Sequence, residues 1–455
     1  MDAFVLIMRF IGRERELEFL EDQWNKTGAS FVPIYGKRRV GKSRLIVEFI
    51  QGKDHAYHLA NQESANEQVN SFKGSLSQAL DDKYLRDNYF GDWKQLFRYL
   101  EKNIPKDKKI VLAIDEVTYI IKRDPSFPSN LQNFWDTFLK DTEIMLILCG
   151  SLIGLMKESI LEYSSPLYGR RSGQIHLKPL KASELGVLIK DRDKLVRLYS
   201  VMGGVPRYYE LIDMGEDFSE IVDKILSPES AFFEEGIFLM GQEFKELGNY
   251  NSILKSMSRG NTELSDIAND IGIESRKLSN YMDNLYAVGM IRKEKPVTNT
   301  QKRYRGYRYH IKDNFLDFWF KFIFPNRGQI EERVLSYHDI SDELNHFTAK
   351  KFEDICKQEM AKGYGKVGTW WHDGQEIDLV GLDERERTIG FAECKWTNEP
   401  VGKAVYHSLK EKSRSVRWHE DRTEKFYIFS RSGFTDELKE TEDVVLHDLS
   451  FLVQG

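Results

Sequence analysis

Residues Gly36-Lys37-Arg38-Arg39-Val40-Gly41-Lys42-Ser43 match the pattern G-x-x-x-x-G-K-[ST], and this stretch decides the fold. The apolar residues 31–35 before it predict a strand, and residues 44–50 after it predict a helix. Between a strand and a helix, such a loop turns its backbone N–H groups and the positive end of the helix towards a phosphate group. The pattern therefore predicts a phosphate-binding loop.

The last residues of this loop indicate which ligand it takes. In this motif Lys42 reaches the β- and γ-phosphates of a nucleotide, and the Ser43 hydroxyl binds Mg²⁺. We expect the residues from Gly36 to Arg44 to contact ATP. A basic surface turn is the alternative, and the flanking strand and helix patterns argue against it.

A second predicted strand ends in two carboxylates. Residues 110–114 are apolar and are followed by Asp115 and Glu116. On a strand beside the phosphate loop, Asp115 can hold magnesium through water, and Glu116 can orient and deprotonate the attacking water. The pattern predicts a nucleoside triphosphate hydrolase in which Lys42 and Glu116 are catalytic.

A third predicted strand ends in a polar residue. Residues 144–149 precede Gly150 and Ser151, and ligands of open α/β sheets bind at the carboxyl ends of the strands. Ser151 is therefore a candidate for contact with the γ-phosphate or the lytic water. The alternative is that Ser151 caps a helix at residues 152–157.

Strand-like runs alternate with amphipathic stretches throughout residues 1–180. Such alternation indicates βαβ units and a parallel sheet, so we expect the α/β class. The predicted strands are 31–35, 56–59, 110–114 and 144–149, and the predicted helices include 43–50, 67–80 and 130–139.

Composition narrows the class of protein. The 455 residues are 30% charged and 41% hydrophobic, as in globular proteins, and the length predicts several domains. The odd number of cysteines (Cys149, Cys356 and Cys394) and their spacing argue against a disulfide framework or a Cys-built zinc site. No apolar run reaches the ~18 residues of a membrane span, and the first residues lack a signal-peptide pattern. We expect a cytoplasmic protein without membrane contact.

Several ordered motifs resemble those of AAA+ and STAND-type P-loop ATPases, in particular the family of predominantly archaeal ATPases. The resemblance covers most of residues 10–245 and implies an ATPase core with a helical lid and a box beside the adenine. Besides the phosphate loop and the Asp115-Glu116 strand, its motifs are Phe10-Ile11-Gly12-Arg13-Glu14-Arg15-Glu16-Leu17, residues 165–171 followed by 177–180, and Gly203-Gly204-Val205-Pro206-Arg207.

The same resemblance implies roles for three arginines. Arg170 or Arg171 would act as an arginine finger that neutralises charge near the γ-phosphate, and Arg207 would sense the nucleotide from the lid. A surface salt bridge is the alternative for each of them. The sequence leaves open whether Arg170 acts within its own subunit or on a neighbour in a homo-oligomer.

Residues 250–312 predict three short helices and a hairpin, an order that resembles a winged helix. We expect Thr262 to cap the second helix. The segment carries 12 Lys and Arg against 6 Asp and Glu, so its net charge is +6 within a chain of -6, which leaves -12 for the remainder. This charge favours DNA contact through phosphates, and the alternative is a module that docks on the nucleotide-binding core. The candidate contacts are Arg276, Lys277, Lys302, Arg303 and Arg305.

The carboxy-terminal part carries two carboxylates and a lysine on adjacent predicted strands. Residues 374–380 and 388–396 predict a hairpin that brings Asp378 near Glu393, with Lys395 on the same face as Glu393. Two such carboxylates can share a divalent cation, and the lysine can position or activate water. Asp378 and Glu393 are therefore predicted metal ligands for phosphodiester cleavage.

This pattern resembles the D…E-x-K core of the PD-(D/E)xK nuclease superfamily, and Glu353 in a predicted helix at 349–360 matches its extra acid. Residues 368–371, 393–396 and 427–434 resemble an uncharacterised domain fused to archaeal-type ATPases, over about 346–440. The resemblance implies an α/β restriction-endonuclease-like domain in which Glu353, Asp378, Glu393 and Lys395 are catalytic. A degenerate fold that binds DNA or a protein without cutting is the alternative. His372 and His447 are expected to be structural or exposed.

The predicted domains are an ATPase core (1–180), a helical lid (181–249), a winged helix (250–312), a linker helix (313–345) and a nuclease-like domain (346–455). The leading hypothesis is Mg²⁺-dependent ATP hydrolysis coupled to DNA engagement or cleavage. One alternative is a STAND-like signalling switch with a non-catalytic protein- or DNA-binding tail. Another is an assembly ATPase with an inert tail.

Overall fold

The computed structural model describes residues 10–452. Most of the apolar start of the chain, Met1 to Arg9, lies outside these residues, and with it lies the segment tested for a signal-peptide pattern. Within residues 10–452, no helix has the length and apolar character needed to cross a membrane. Their contacts form two compact units, residues 10–179 with 205–207 and residues 180–204 with 208–452.

A five-stranded sheet with only parallel pairs forms the centre of the first unit, with the strand order β2-β3-β4-β1-β5. This confirms the predicted α/β class. Three of the strands are buried at every residue, as expected for a parallel sheet covered on both faces. The strands are β1 (Ser30–Tyr35), β2 (His55–Leu59), β3 (Ile110–Asp115), β4 (Ile144–Gly150) and β5 (Ile175–His176).

Eight α-helices of the first unit connect and cover these strands. Each of the longer helices buries one apolar face. In the helix Trp93–Asn103, for example, the buried residues are Trp93, Leu96, Phe97 and Leu100. The helices are α1 (Glu14–Asn25), α2 (Lys42–Phe49), α3 (Ala65–Leu80), α4 (Lys83–Asp87), α5 (Trp93–Asn103), α6 (Val117–Arg123), α7 (Phe127–Thr137) and α8 (Ile153–Met156).

The second unit begins with short helices in the region predicted as a lid. They are α9 (Ala182–Leu185), α10 (Arg192–Met202), α11 (Pro206–Tyr209), α12 (Phe218–Ile225) and α13 (Glu235–Glu243), of which α11 begins with two residues that belong to the first unit. An aromatic segment further along the chain packs in the same unit as α17 (Asn314–Phe318) and a π-helical turn, Trp319–Ile323. Trp319 is fully buried, and its indole N–H donates to the Phe233 carbonyl at 2.9 Å.

Three helices and a two-stranded antiparallel hairpin follow α13. They are α14 (Gly248–Ser258), α15 (Leu264–Ile271), α16 (Ser275–Ala287), β6 (Ile291–Glu294) and β7 (Arg308–Ile311). The prediction that Thr262 caps the second helix is wrong, because the N-cap is Glu263. The Thr262 carbonyl instead accepts a hydrogen bond from the Tyr309 N–H at 2.7 Å, which holds this residue beside β7.

A second five-stranded sheet ends the chain, with the order β12-β11-β10-β9-β8. The strands β8 to β10 are antiparallel, and β11 and β12 run parallel to β10. The elements are α18 (Arg327–Glu331), α19 (Tyr337–Met360), β8 (Lys366–His372), β9 (Gln375–Asp383), β10 (Thr388–Lys395), α20 (Lys403–Ser413), β11 (Thr423–Ser430), α21 (Asp436–Lys439) and β12 (Val444–His447). Helix α19 crosses the predicted boundary at residue 345, and the sequence pattern missed α21 and β12.

Candidate functional site

The phosphate loop connects β1 to α2 as predicted. Gly41 has φ +95°, in the region that favours glycine, and a Cβ at Gly36 would collide with the carbonyl oxygen of Leu177. Lys42 is 5% exposed, and its ammonium donates to the carbonyls of Gly36 at 3.0 Å and Lys37 at 2.9 Å. The loop is therefore a backbone cradle closed over its own lysine, and its residues fit a bound phosphate.

Arg13 supports this loop from the side. It is 5% exposed, and its guanidinium donates to the carbonyl of Val40 in the loop at 3.0 Å and to that of Lys178 at 2.8 Å. Arg13 belongs to the motif at residues 10–17, but the sequence alone did not indicate this bracing role. The buried cation ties the start of α1, the loop and the segment after β5 together.

Asp115 lies at the carboxyl end of β3 and is fully buried. Its carboxylate accepts hydrogen bonds from the Tyr57 hydroxyl and from the Glu116 N–H, both at 2.9 Å. Burial and the nearby Asp115 carboxylate raise the pKa of Tyr57, which keeps the hydroxyl protonated as a donor. Tyr57 was missed by sequence analysis because it comes from β2, which only the sheet pairing brings beside β3.

Glu116 follows Asp115 in the left-handed backbone region, with φ +52°. Its carboxylate accepts from the Ser151 hydroxyl at 2.8 Å and from the Ser151 N–H at 3.2 Å. Ser151 does not cap the next helix, whose N-cap is Leu152. The adjacent strands β3 and β4 therefore bring together two of the three predicted strand-end positions.

The predicted arginine fingers have different surroundings. Arg170 donates two hydrogen bonds to Asp136, at 2.8 and 2.7 Å, and this contact lowers the pKa of the Asp136 carboxyl. Arg171 donates to the Leu161 carbonyl at 3.2 Å. Burial raises the pKa of Tyr35, and the charge of Arg171 opposes that rise, so Arg171 lies within electrostatic reach of the residue that precedes the loop. Arg207 lies in α11 and packs with the first unit.

The second unit brings together all four predicted tail residues. Asp378 on β9 accepts a hydrogen bond from the Cys394 N–H at 2.8 Å, and Lys395 donates to Glu393 at 2.6 Å. The Lys395 ammonium also lies 3.9 Å from the Asp378 carboxylate. Lys412 on α20 donates to the other Glu393 oxygen at 2.7 Å, a contact that no local pattern indicated.

Burial and neighbouring charges shift the pKa values of the acidic cluster, which consists of Glu353, Asp378 and Glu393. The pKa of Glu353 rises to about 8 and that of Asp378 to about 6, in both cases through burial first and then through a neighbouring carboxylate. Burial alone would raise the pKa of Glu393, but the ammonium groups of Lys395 and Lys412 outweigh it and lower the pKa. The Asp378 and Glu393 carboxylates raise the pKa of Lys395, although burial by itself would lower it.

This acidic cluster has the donor chemistry of a hard-cation site, because Asp378 and Glu393 supply oxygen atoms. Within residues 10–452, no three His, Cys, Asp or Glu side chains are gathered as a metal-binding group. In the acidic cluster, the ammonium groups of Lys395 and Lys412 neutralise the Glu393 carboxylate. His372 is exposed beside Asp373, and His447 stacks on Phe429 with ring centres 4.8 Å apart, so the first is exposed and the second is packed in the fold.

The hairpin β6–β7 packs against the carboxy-terminal sheet and α19. Arg292 donates to Asp354 at 2.8 Å, and Arg308 donates to Glu376 at 2.9 Å. The register of β8 with β9 shifts at Thr369, whose carbonyl accepts instead from the Val297 N–H at 3.0 Å. The predicted DNA contacts Arg276, Lys277, Lys302, Arg303 and Arg305 are exposed.

The sequence and the fold of this chain resemble those of known proteins. Residues 10–212 match the model of an "ATPase domain predominantly from Archaea", and residues 319–414 match one described as "Archaea bacterial proteins of unknown function". An uncharacterized ATP-binding protein of Methanocaldococcus jannaschii is 49% identical over 47 residues, 10% of this chain and 80% of that protein. The Walker-type ATPase of Pyrococcus abyssi has a TM-score of 0.50 at 19% identity, covering 69% of this chain and 96% of that one, which shows the fold alone.

A full-length relative defines the family. An uncharacterized protein of Methanocaldococcus jannaschii is 34% identical over 454 residues, which are 97% of this chain and 99% of the relative. The phosphate loop, the Asp115-Glu116 strand end and the parallel sheet agree with the matched ATPase model. The chain therefore belongs to the family of this Methanocaldococcus protein, and its residues 10–212 form a nucleotide-binding ATPase domain of the kind found predominantly in Archaea.

Proposed function

We propose that Mg²⁺-dependent ATP hydrolysis in the first unit controls DNA engagement or cleavage by the carboxy-terminal part of the second. One observation carries the proposal for the tail: Glu353, Asp378, Glu393 and Lys395 lie together on α19, β9 and β10. The order α19-β8-β9-β10-α20-β11 is the order of elements predicted from residue 346 onwards, and it supports the proposal of a restriction-endonuclease-like fold.

In the nucleotide site, the backbone from Gly36 to Arg44 holds the phosphates and Lys42 moves from the loop carbonyls to the β- and γ-phosphates. Ser43 and Asp115 hold Mg²⁺, which supplies positive charge against the phosphate oxygens. Glu116, oriented by Ser151, takes a proton from the attacking water.

An arginine completes the proposed nucleotide site. Of the two candidates, Arg171 is the better placed, because Arg170 is held by Asp136. Arg171 acts on Tyr35, directly before the loop. Arg207 packs with the first unit, which supports its proposed role as a nucleotide sensor.

In the tail site, Asp378 and Glu393 hold a divalent cation, which stabilises negative charge on the cleaved phosphodiester. Lys395 leaves Glu393 to position water, and Glu353 is the additional acid. The helices α14 to α16 with the hairpin β6–β7 serve as a winged helix, whose exposed Arg276 and Lys277 contact DNA phosphates.

The test combines one variant in each site with a DNA assay. We expect the purified chain with Mg²⁺ or Mn²⁺ to bind or cut DNA in a way that depends on ATP. Lys42→Ala removes the ATP dependence, and Asp378→Asn removes cleavage while ATP hydrolysis remains. Lys425→Ala is the matched lysine control, because Lys425 is exposed on β11 outside both sites. Unchanged ATP turnover in Lys42→Ala would contradict the nucleotide assignment, and absence of both DNA binding and cleavage in every nucleotide state would contradict the DNA proposal.

A second candidate is a STAND-like switch with a non-catalytic tail. It is favoured by the two ammonium groups on Glu393 and by the packing of the hairpin on helix α19 and on the carboxy-terminal sheet. This candidate predicts that ADP stays bound through purification and that no metal restores cleavage. The retained nucleotide can be measured by chromatography of the denatured protein.

A further inference from the structure

A cavity of about 460 Å³ lies within the second unit, next to the tail site. The end of α14, the hairpin β6–β7, helix α19 and the strands β8 and β9 form its walls. Its volume is within the range of pockets that hold small ligands, about 300–1,000 Å³. The cavity therefore has room for a ligand the size of a single nucleotide but not for a double helix.

Most charged side chains in its wall neutralise one another. Arg292 pairs with Asp354 at 2.8 Å. Glu294 lies 3.0 Å from Arg292 and 3.2 Å from Lys357 on α19, so each of the two carboxylates has a cation. Three further pairs have their charged atoms 2.6–2.9 Å apart, namely Arg308–Glu376, Lys351–Asp317 and Lys321–Glu343. These pairs leave few charges to meet a ligand.

Two cations remain at the cavity. Arg259, just after α14, and Lys350, on α19, are exposed and line it. In the described part of the chain, neither the Arg259 guanidinium nor the Lys350 ammonium makes a hydrogen bond or an ion pair with another residue. Glu353 is the one lining carboxyl among these residues without such a partner, so two positive groups face at most one negative group. The residual charge favours an anion such as a phosphate.

The same cavity carries an aromatic surface. Trp371, at the end of β8, lines it and is half-buried, and the Arg308 guanidinium lies 4.3 Å from the centre of one of its rings. An aromatic ring that shares a cavity with cations outside any ion pair is the combination with which proteins hold a base and its phosphate in single-stranded nucleic acids.

Glu353 connects the cavity to the acidic cluster. Its side chain lines the cavity, and the Asp378 carboxylate lies near enough for its charge to act on it. The hairpin covers this approach, because Val297 is hydrogen-bonded to Thr369 and Arg308 to Glu376. A base pair inside a continuous duplex does not fit beneath this cover, whereas a nucleotide outside the stack does.

We propose that nucleic acid reaches the tail site as an unpaired nucleotide, with its phosphate on Arg259 and Lys350 and its base on Trp371. This inference rests on the function proposed for the tail site and adds the substrate class, a single strand or single-stranded end. A free mononucleotide has the same chemistry and is separated from a strand in the test.

The experiment measures fluorescence anisotropy of the full chain in EDTA with labelled DNA of one sequence, as a single strand, a blunt duplex and a duplex with single-stranded overhangs. We expect the single strand and the overhangs to bind at least about tenfold more tightly than the blunt duplex. Charge reversal in Lys350→Glu or Arg259→Glu weakens single-strand binding about tenfold and lowers its salt dependence, since a phosphate contact is lost. Trp371→Ala reduces the preference for the single strand.

Lys425→Glu is the matched control, because it makes the same charge change on an exposed lysine outside the cavity. Thermal unfolding of each variant identifies those that fold as the parent does. Equal binding of blunt duplex and single strand, or equal weakening by Lys425→Glu and Lys350→Glu, overturns the inference. A mononucleotide that competes as strongly as the strand overturns the assignment to a strand.

A cleavage assay separates the inference from the function on which it rests. Internal cutting of blunt duplex as fast as single strand overturns the unpaired-nucleotide route and leaves the proposed function intact. A chain that neither binds nor cuts any of these DNAs in any nucleotide state overturns both. Binding restricted to single strands with no cleavage supports the cavity and overturns nuclease activity.

Discussion

Replacing Ser151 by alanine removes one of the two hydrogen bonds that orient the Glu116 carboxylate. The Ser151 hydroxyl donates at 2.8 Å, and the backbone N–H, which alanine keeps, donates at 3.2 Å. A hydrogen bond to a charged group contributes about 1.5–3 kcal/mol. Because the weaker donor remains and Glu116 is half-buried, we take the lower end of that range. A loss of about 1.4 kcal/mol in transition-state stabilisation corresponds to a tenfold fall in kcat.

The assay compares ATP turnover and ATP affinity in the same preparations. We expect Ser151→Ala to lower kcat about tenfold while ATP affinity changes less than twofold, because Ser151 contacts the residue proposed to act on water. Ser151→Thr keeps a hydroxyl and should retain more activity. Ser126→Ala is the matched control, since the hydroxyl of the exposed Ser126 donates to Asp124 at 2.5 Å outside the site. An unchanged kcat, or a parallel loss in Ser126→Ala, would refute the proposed role of Ser151.

Three further predictions concern residues that only the folded chain brings into contact. Tyr57→Phe removes a hydrogen-bond donor to Asp115 and should raise severalfold the Mg²⁺ concentration needed for half-maximal ATP turnover. Tyr99→Phe is the control: it removes a similar bond to Asp82 and should leave that concentration unchanged. The pKa of Glu353, about 8 in the folded chain against 4.5 ordinarily, makes the folded state hold a proton that the unfolded state loses, so stability falls as pH rises through this window. Melting temperatures of Glu353→Gln across that window should show a shallower fall, and an unchanged slope would contradict the shift. Arg292→Met should cost about 1–3 kcal/mol of unfolding free energy in urea titrations by unpairing half-buried carboxylates, while loss of the exposed Arg387–Asp421 pair in Arg387→Met costs less than 1 kcal/mol.

Local patterns in the sequence predicted the parts of the fold that depend on neighbouring residues. The apolar runs before Gly36 and before Asp115 became β1 and β3 because each is long enough to be a buried strand with a turn after it. The element β5 was missed because its two residues carry no periodicity. The cap assigned to Thr262 failed because a contact with Tyr309, 47 positions away in the sequence, fixes its backbone.

In the candidate sites, the motif residues could be found from spacing and their supports could not. Nothing near Lys412 indicates that it binds Glu393, since the contact exists only because α20 packs against β10. The same holds for Tyr57 beside Asp115 and for Arg13 beside Val40. These are side chains from other elements, and their types are common on any protein surface.

The sequence by itself determined the phosphate loop, the strand-end acids, the α/β class and the grouping of Asp378, Glu393 and Lys395, because each depends on residues close together in the chain or on a repeated period. The tertiary structure alone decided which groups neutralise or orient those residues, since that depends on the order of strands in a sheet and on the packing of distant helices. It also decided that Arg292 and Arg308 of a basic hairpin face carboxylates of the carboxy-terminal part instead of solvent. Net charge in a segment counts its cations, whereas only the packing shows which of them remain free to meet a ligand.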